Sequence, residues 1–269
     1  MVPPLAFLLT TAISFGQSVR PAAGKVALTI DAIMARVAAN QNQSEELQKQ
    51  YLCKEHIHVV TRKPGGRVMR EETADYEIAL MGTGTQKQLK ALTGRYWHEG
   101  KYEDFNGEPV PAAESWDADY IRDLRMCLTE ESRCTVAAHL FPLTAAEQNK
   151  YEFRLIGQDL LRGRAVYHIG FVPKNKNIFD WAGEAFIDTA DFQPVRVFTR
   201  LSRRVPFLVR SMGWNVSGIG YELDYKRQED GHWFPTSYGT EYGLRLFFHI
   251  NRSVTVSMDS SFENPERLP

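Results

Sequence analysis

His56 and His58 stand two residues apart in a stretch, starting at Leu52, where apolar and polar residues alternate. In an extended strand that spacing puts both imidazoles on one face, as a metal pair requires. Their face is the polar one, and no cysteine or second histidine pair accompanies them, so solvated histidines are the better account. Carboxylates gather at Glu71-Glu72 and at Glu114, Asp117, Asp119 and Asp123, where paired acids could serve general acid-base chemistry. Arg70, Arg122 and Arg125 lie among them, which reads as balanced surface charge. The signatures G-x-S-x-G, H-E-x-x-H, G-x-x-x-x-G-K-S/T and G-x-G-x-x-G are absent. Gly82-Thr83-Gly84 lacks a third glycine and reads as a loop. No catalytic residue, metal ligand or cofactor is expected.

One constellation is stronger. Between Phe192 and Tyr221 there are five arginines, at 196, 200, 203, 204 and 210, and no acid. At its centre Arg203 and Arg204 precede Val205-Pro206-Phe207-Leu208-Val209, and Arg210 closes the segment. An apolar knot flanked by cations fits a lipid headgroup layer or an acidic partner, with Arg203, Arg204, Phe207, Leu208 and Arg210 as the docking residues. The alternative is a loop that folds its apolar residues back onto the core while the arginines stay wet.

The elements that must position these groups follow from periodicity. Thr29 to Tyr51 reads as a helix, with Ile30, Ile33, Met34 and Val37 on one stripe and Thr29 as N-cap. Its second half, Asn40 to Gln50, is almost wholly polar and is expected to be solvated or frayed. From Leu52 the period becomes two. Cys53, Ile57 and Val59 alternate with Lys54, His56 and His58, Pro64-Gly65-Gly66 turns the chain, and Tyr76 and Ile78 return. Gly94 to Gly107 reads as two short strands around Gly100, Trp116 to Leu124 as a helix, and Thr144 to Lys150 as a helical turn. The last 110 residues alternate most regularly: Tyr167, Ile169 and Phe171, then Val195 and Val197, Leu223 and Tyr225, and Leu246, Phe248 and Ile250 share a face strand by strand. Short turns, one at Asp230-Gly231, join them without helices, so the sheet is an antiparallel meander and not βαβ.

Composition sets the outer bounds. The chain has 269 residues, 43% hydrophobic and 24% charged, which describes a folded globule. Its 32 Lys and Arg against 33 Asp and Glu leave a net charge of −1, arguing against a nucleic-acid binder. Residues 1–16 carry no charge, Leu5 to Phe15 is mostly apolar, and Ser14 and Gly16 precede Gln17 as small residues at a cleavage site. They read as a secretory signal lacking a basic n-region, followed by a flexible leader at 17–27, one domain at 28–262 and a tail at 263–269. No apolar run is long enough to span a bilayer, so no transmembrane segment is expected after processing. Cys127 and Cys134 enclose a loop short enough for a disulfide in an oxidising compartment, or they remain thiols with Cys53.

Gly163-Arg164-Ala165-Val166-Tyr167-His168-Ile169, Ala185-Phe186-Ile187-Asp188 and Phe192-Gln193-Pro194-Val195-Arg196-Val197 carry a family likeness. With the order of elements, they make the chain similar to the lipoprotein-localisation superfamily (LolA/LolB-like), which includes bacterial outer-membrane lipoprotein-sorting proteins. That resemblance implies a mainly β fold: a single curved antiparallel sheet forming an unclosed half-barrel, with helices covering the open concave side. Residues 100–150 would be an insertion relative to the shorter carrier members. It also implies a soluble periplasmic, non-enzymatic carrier or sensor that shields lipid or lipoprotein acyl chains from water, with the side chains that the alternation supplies lining one concave surface: Tyr76, Ile78, Ile169, Phe171, Val195, Val197, Leu223, Tyr225, Leu246, Phe248 and Ile250. The competing readings are an envelope interaction module with a filled interior and, third, an exported hydrolase.

Overall fold

A computed structural model describes residues 28–81, 84–107, 115–130, 144–175, 181–201, 214–246 and 249–264. The chain enters through α1 (Ile30–Gln48), capped by Thr29, whose hydroxyl accepts from the Ala32 amide at 3.3 Å. Ile33, Met34, Val37 and Ala38 are buried, as the apolar stripe requires. The stripe does not stop there. Gln41, Ser44 and Gln48 are buried too, which corrects the expectation of a solvated second half. Helical periodicity keeps these positions on the covered face, and partners make their burial tolerable. Gln41 donates to the Gln193 side chain at 2.6 Å, and next to it Asn40 donates to the Asp191 and Phe192 carbonyls at 2.8 and 3.2 Å.

The strands are β1 (Leu52–Arg62), β2 (Val68–Met81), β3 (Gly84–His98), β4 (Lys101–Asn106), β5 (Tyr151–Leu161), β6 (Arg164–Pro173), β7 (Trp181–Asp188), β8 (Pro194–Leu201), β9 (Trp214–Ser217), β10 (Gly220–Arg227), β11 (Trp233–Leu246) and β12 (Ile250–Glu263). Among the described residues two more helices, α2 (Trp116–Glu130) and the single turn α3 (Ala145–Gln148), stand between β4 and β5. The strands form one antiparallel sheet in the order β4-β3-β2-β1-β12-β11-β10-β8-β7-β6-β5, with β9 on the same side of β11 as β10. β3 is longer than the short strand expected, and β5, β7 and β9 were not visible as periods.

The sheet is not closed into a barrel: β4 and β5 are its two edges. At about 4.8 Å between strands, a flat sheet of this order would be roughly 50 Å wide. Curvature instead brings inward side chains from β1 to β8 and β10 to β12 into one cluster with α1 and α2. Gly183 permits one tight passage. A Cβ there would strike the Phe198 carbonyl and lie 3.0 Å from the Phe171 ring of β6, so only glycine lets β7 pass this close to both. The mainly β half-barrel with helices on its concave side is therefore the observed architecture.

Candidate functional site

The register places a continuous line of side chains across the concave face. Leu155, Ile169, Ala185, Val197, Leu223, Tyr238, Met258, Ile57, Ala74 and Leu92 pair successively from β5 to β3. Apart from Leu155 near the edge, each is buried. Of the residues expected to line this face, Tyr76, Ile78, Ile169, Phe171, Val195, Val197, Leu223 and Tyr225 belong to the buried cluster, and Ile250 packs against it. Leu246 ends β11. Phe248 lies outside the described residues. The middle of the row, Ile57, Met258 and Tyr238, lies outside the expected lining set, although Ile57 shares the parity of Cys53 and Val59 in the apolar alternation.

Polar side chains flank this apolar row. Toward α2, the parallel row contains Thr199, Tyr221, Thr240 and Glu72. Here α2 is fixed to the sheet: Asp117 accepts two hydrogen bonds from Arg252, both at 2.8 Å, and the Tyr120 and Tyr242 hydroxyls meet at 2.5 Å. Arg125 donates to the Tyr76 hydroxyl at 3.1 Å and pairs with Glu72 at 3.2 Å, while Arg70 pairs with Glu72 at 2.5 Å. Glu72, Arg70, Arg125 and Asp117 are all buried, so the reading of these residues as surface charge is corrected. The sequence held the signal: Glu72 has the parity of Ala74, Tyr76 and Ile78. Tyr120→Phe should cost about 1–2 kcal/mol in urea unfolding, because it strands the buried Tyr242 hydroxyl.

On the other flank lie Tyr76, Glu55 and Ser260, paired across β2, β1 and β12. Glu55 is only 2% exposed, and burial lifts its pKa to about 7 against the opposing charge of Lys87. A raised folded-state value means stability that is present at low pH and lost as pH rises. Between about pH 4.5 and about pH 7 the native protein should lose roughly 3 kcal/mol through this group. Urea midpoints across that range should fall for the native protein and fall less for Glu55→Gln.

The outer face carries the two histidines. His56 lies 2.6 Å from Asp75, and His58 lies 2.9 Å from Glu71. Partial burial works against ionised Glu71, but hydrogen bonds from His58 and Arg95 leave its pKa below the ordinary value. Among the described residues no three His, Cys, Asp or Glu groups are arranged to hold a metal. Cys127 is exposed on α2, while Cys134 and the docking residues Arg203, Arg204, Phe207, Leu208 and Arg210 lie outside the described residues. The segments expected to be a signal and a leader, and most of the expected tail, lie outside them too. No described helix is long and apolar enough to cross a membrane.

Solved structures similar to this chain include a DUF1329 family protein from Desulfovibrio piger, at 10% identity and TM-score 0.39 over 89% of this chain and 95% of that one. A LolA superfamily protein from Nitrosomonas europaea matches at 10% identity and TM-score 0.35, over 90% and 96% of the two chains. The lipoprotein LppX from Mycobacterium tuberculosis matches at 8% identity and TM-score 0.27, over 88% and 98%. No family model matches the chain, and no curated protein matches it.

Proposed function

We propose that this protein is an exported, periplasmic, non-enzymatic carrier or sensor that binds lipid acyl chains or another hydrophobic ligand on its concave face. The observation that carries the reading is the apolar row running from β5 to β3 beneath α1 and α2. Such a track suits an extended hydrocarbon chain, and burying each methylene is worth about 0.8 kcal/mol. Ile169 and Val197 have no exposed surface in the closed arrangement, so a ligand enters only if a helix lifts. That same burial favours the second reading, an envelope interaction module with a filled interior.

Mass spectrometry under native conditions, on protein gently purified from the periplasm, separates the two. A carrier brings lipid adducts and takes up a fluorescent fatty acid; protein that does neither is the filled module. In the carrier reading Arg203, Arg204 and Arg210 attract an anionic surface, at about 1 kcal/mol per charge, while Phe207 and Leu208 supply contact area. Cleavage before Gln17 would expose the chain to an oxidising space, where Cys127 and Cys134 could pair.

A further inference from the structure

Two buried polar groups on one flank of the apolar row have no hydrogen-bond partner among the described residues. Both carboxyl oxygens of Glu55 are buried and unmatched, and so is the Tyr225 hydroxyl. Glu55 pairs in register with Ser260 on β12 and Tyr76 on β2, while Tyr225 pairs with Pro235 on β11. β12 and β11 separate the two strands, so the groups stand roughly 14 Å apart at about 4.8 Å per strand. Buried polar atoms are nearly always matched, because stripping water from one without replacing its hydrogen bond costs about 1–3 kcal/mol. A carboxyl is a costly group to hold in this condition. An apolar side chain at position 55 would continue the inward series of Cys53, Ile57 and Val59 at no such cost.

The surroundings point to a particular complement. Glu55 neighbours the row through Ile57, two residues along the same strand and on the same face. A chain lying in that row would therefore bring its end group to the carboxyl. The two oxygens of an ionised carboxylate only accept, so its complement is a donor; the protonated form still offers an accepting oxygen and adds one O–H of its own. Resting on the carrier reading above, we propose that Glu55 receives the polar head of the bound amphiphile, and that this head is a hydrogen-bond donor, a hydroxyl or an ammonium group. An ester or ether head, which only accepts, can meet the protonated carboxyl alone; it leaves the ionised form unmatched and is selected against there by the same desolvation cost.

The probes are dodecan-1-ol, dodecylamine and 1-methoxydodecane, each displacing 1-anilinonaphthalene-8-sulfonate from the mature protein at mildly alkaline pH, where Glu55 is ionised and the amine still protonated. Their hydrocarbon chains match, so differences report the head. The alcohol, the amine or both should bind about tenfold more tightly than the ether, the value of one buried hydrogen bond. Preference for the amine alone assigns a cationic head; preference for the alcohol as well shows that a neutral donor suffices. In Glu55→Leu the gap should close while resistance to urea is kept or raised. Glu55→Gln, which preserves shape and an acceptor, should keep the alcohol preference and lose the amine preference, and it serves if the leucine variant fails to fold. Equal binding of all three probes by the native protein, or a gap unchanged in the leucine variant, overturns the role of Glu55 alone. Displacement by none of them overturns the carrier reading together with it.

Discussion

Ile169→Asp should leave no cooperatively folded protein. Ile169 has no exposed surface and stands between Leu155 on β5 and Ala185 on β7, inside the apolar row. A carboxylate there has no charged partner in the row, and its desolvation should cost more than about 4 kcal/mol. That consumes much of the roughly 5–15 kcal/mol that holds a typical domain together. Ile169→Val, which removes one methylene, should cost only about 0.5–1.5 kcal/mol. Urea unfolding followed by circular dichroism distinguishes them. A near-native midpoint for the aspartate variant would mean that position 169 faces water and that the register of β6 is wrong.

Glu72→Ala should be nearly as damaging, for an electrostatic reason. Glu72 is the anion between Arg70 and Arg125, with pairs at 2.5 and 3.2 Å, and all three are buried. Removing one member of a buried ion pair typically costs about 3–5 kcal/mol, because the remaining charge keeps its desolvation penalty. Arg70 retains cation–π contacts with Phe105 at 4.7 Å and Tyr96 at 5.6 Å, which soften the loss without cancelling it. Replacing the whole set, as Arg70→Met, Glu72→Leu and Arg125→Met together, should recover much of the stability. If the single and triple variants unfold at the same midpoint, the charges do not act as a unit.

Much of this arrangement was legible because a strand exposes its side chains with period two. Tyr167, Ile169 and Phe171 announced their shared face, and Thr29 announced the start of α1. What escaped was whatever broke the pattern for a tertiary reason. β5 shows no clean alternation because it is an edge strand, with Ile156 and Leu160 exposed. Glu72 looked like a surface residue because a carboxylate is rarely buried, and residue type outweighed parity. Gln41, Ser44 and Gln48 also looked exposed because they are polar; the partner that makes the burial of Gln41 tolerable, Gln193, is some 150 residues away, where no local window reaches. The donor Arg252 that holds Asp117 is equally remote.

The pairing of β1 with β12 also sets when this molecule can fold. Leu52–Arg62 hydrogen-bonds to Ser253–Glu263 along eleven consecutive residue pairs, between segments about two hundred residues apart. This ladder lies in the interior of the sheet, between the β2 hairpin on one side and β11 on the other. During synthesis at about 5–20 residues per second, β1 waits at least ten seconds before its second neighbour exists. Until then its inward apolar residues are available to any factor that binds extended chain. Long-range pairings of this kind are also slow to find, since loop closure must precede the contacts that reward it. The topology thus delays completion of the core until translation is nearly over, and a truncation that removes β12 should be more harmful than its length implies.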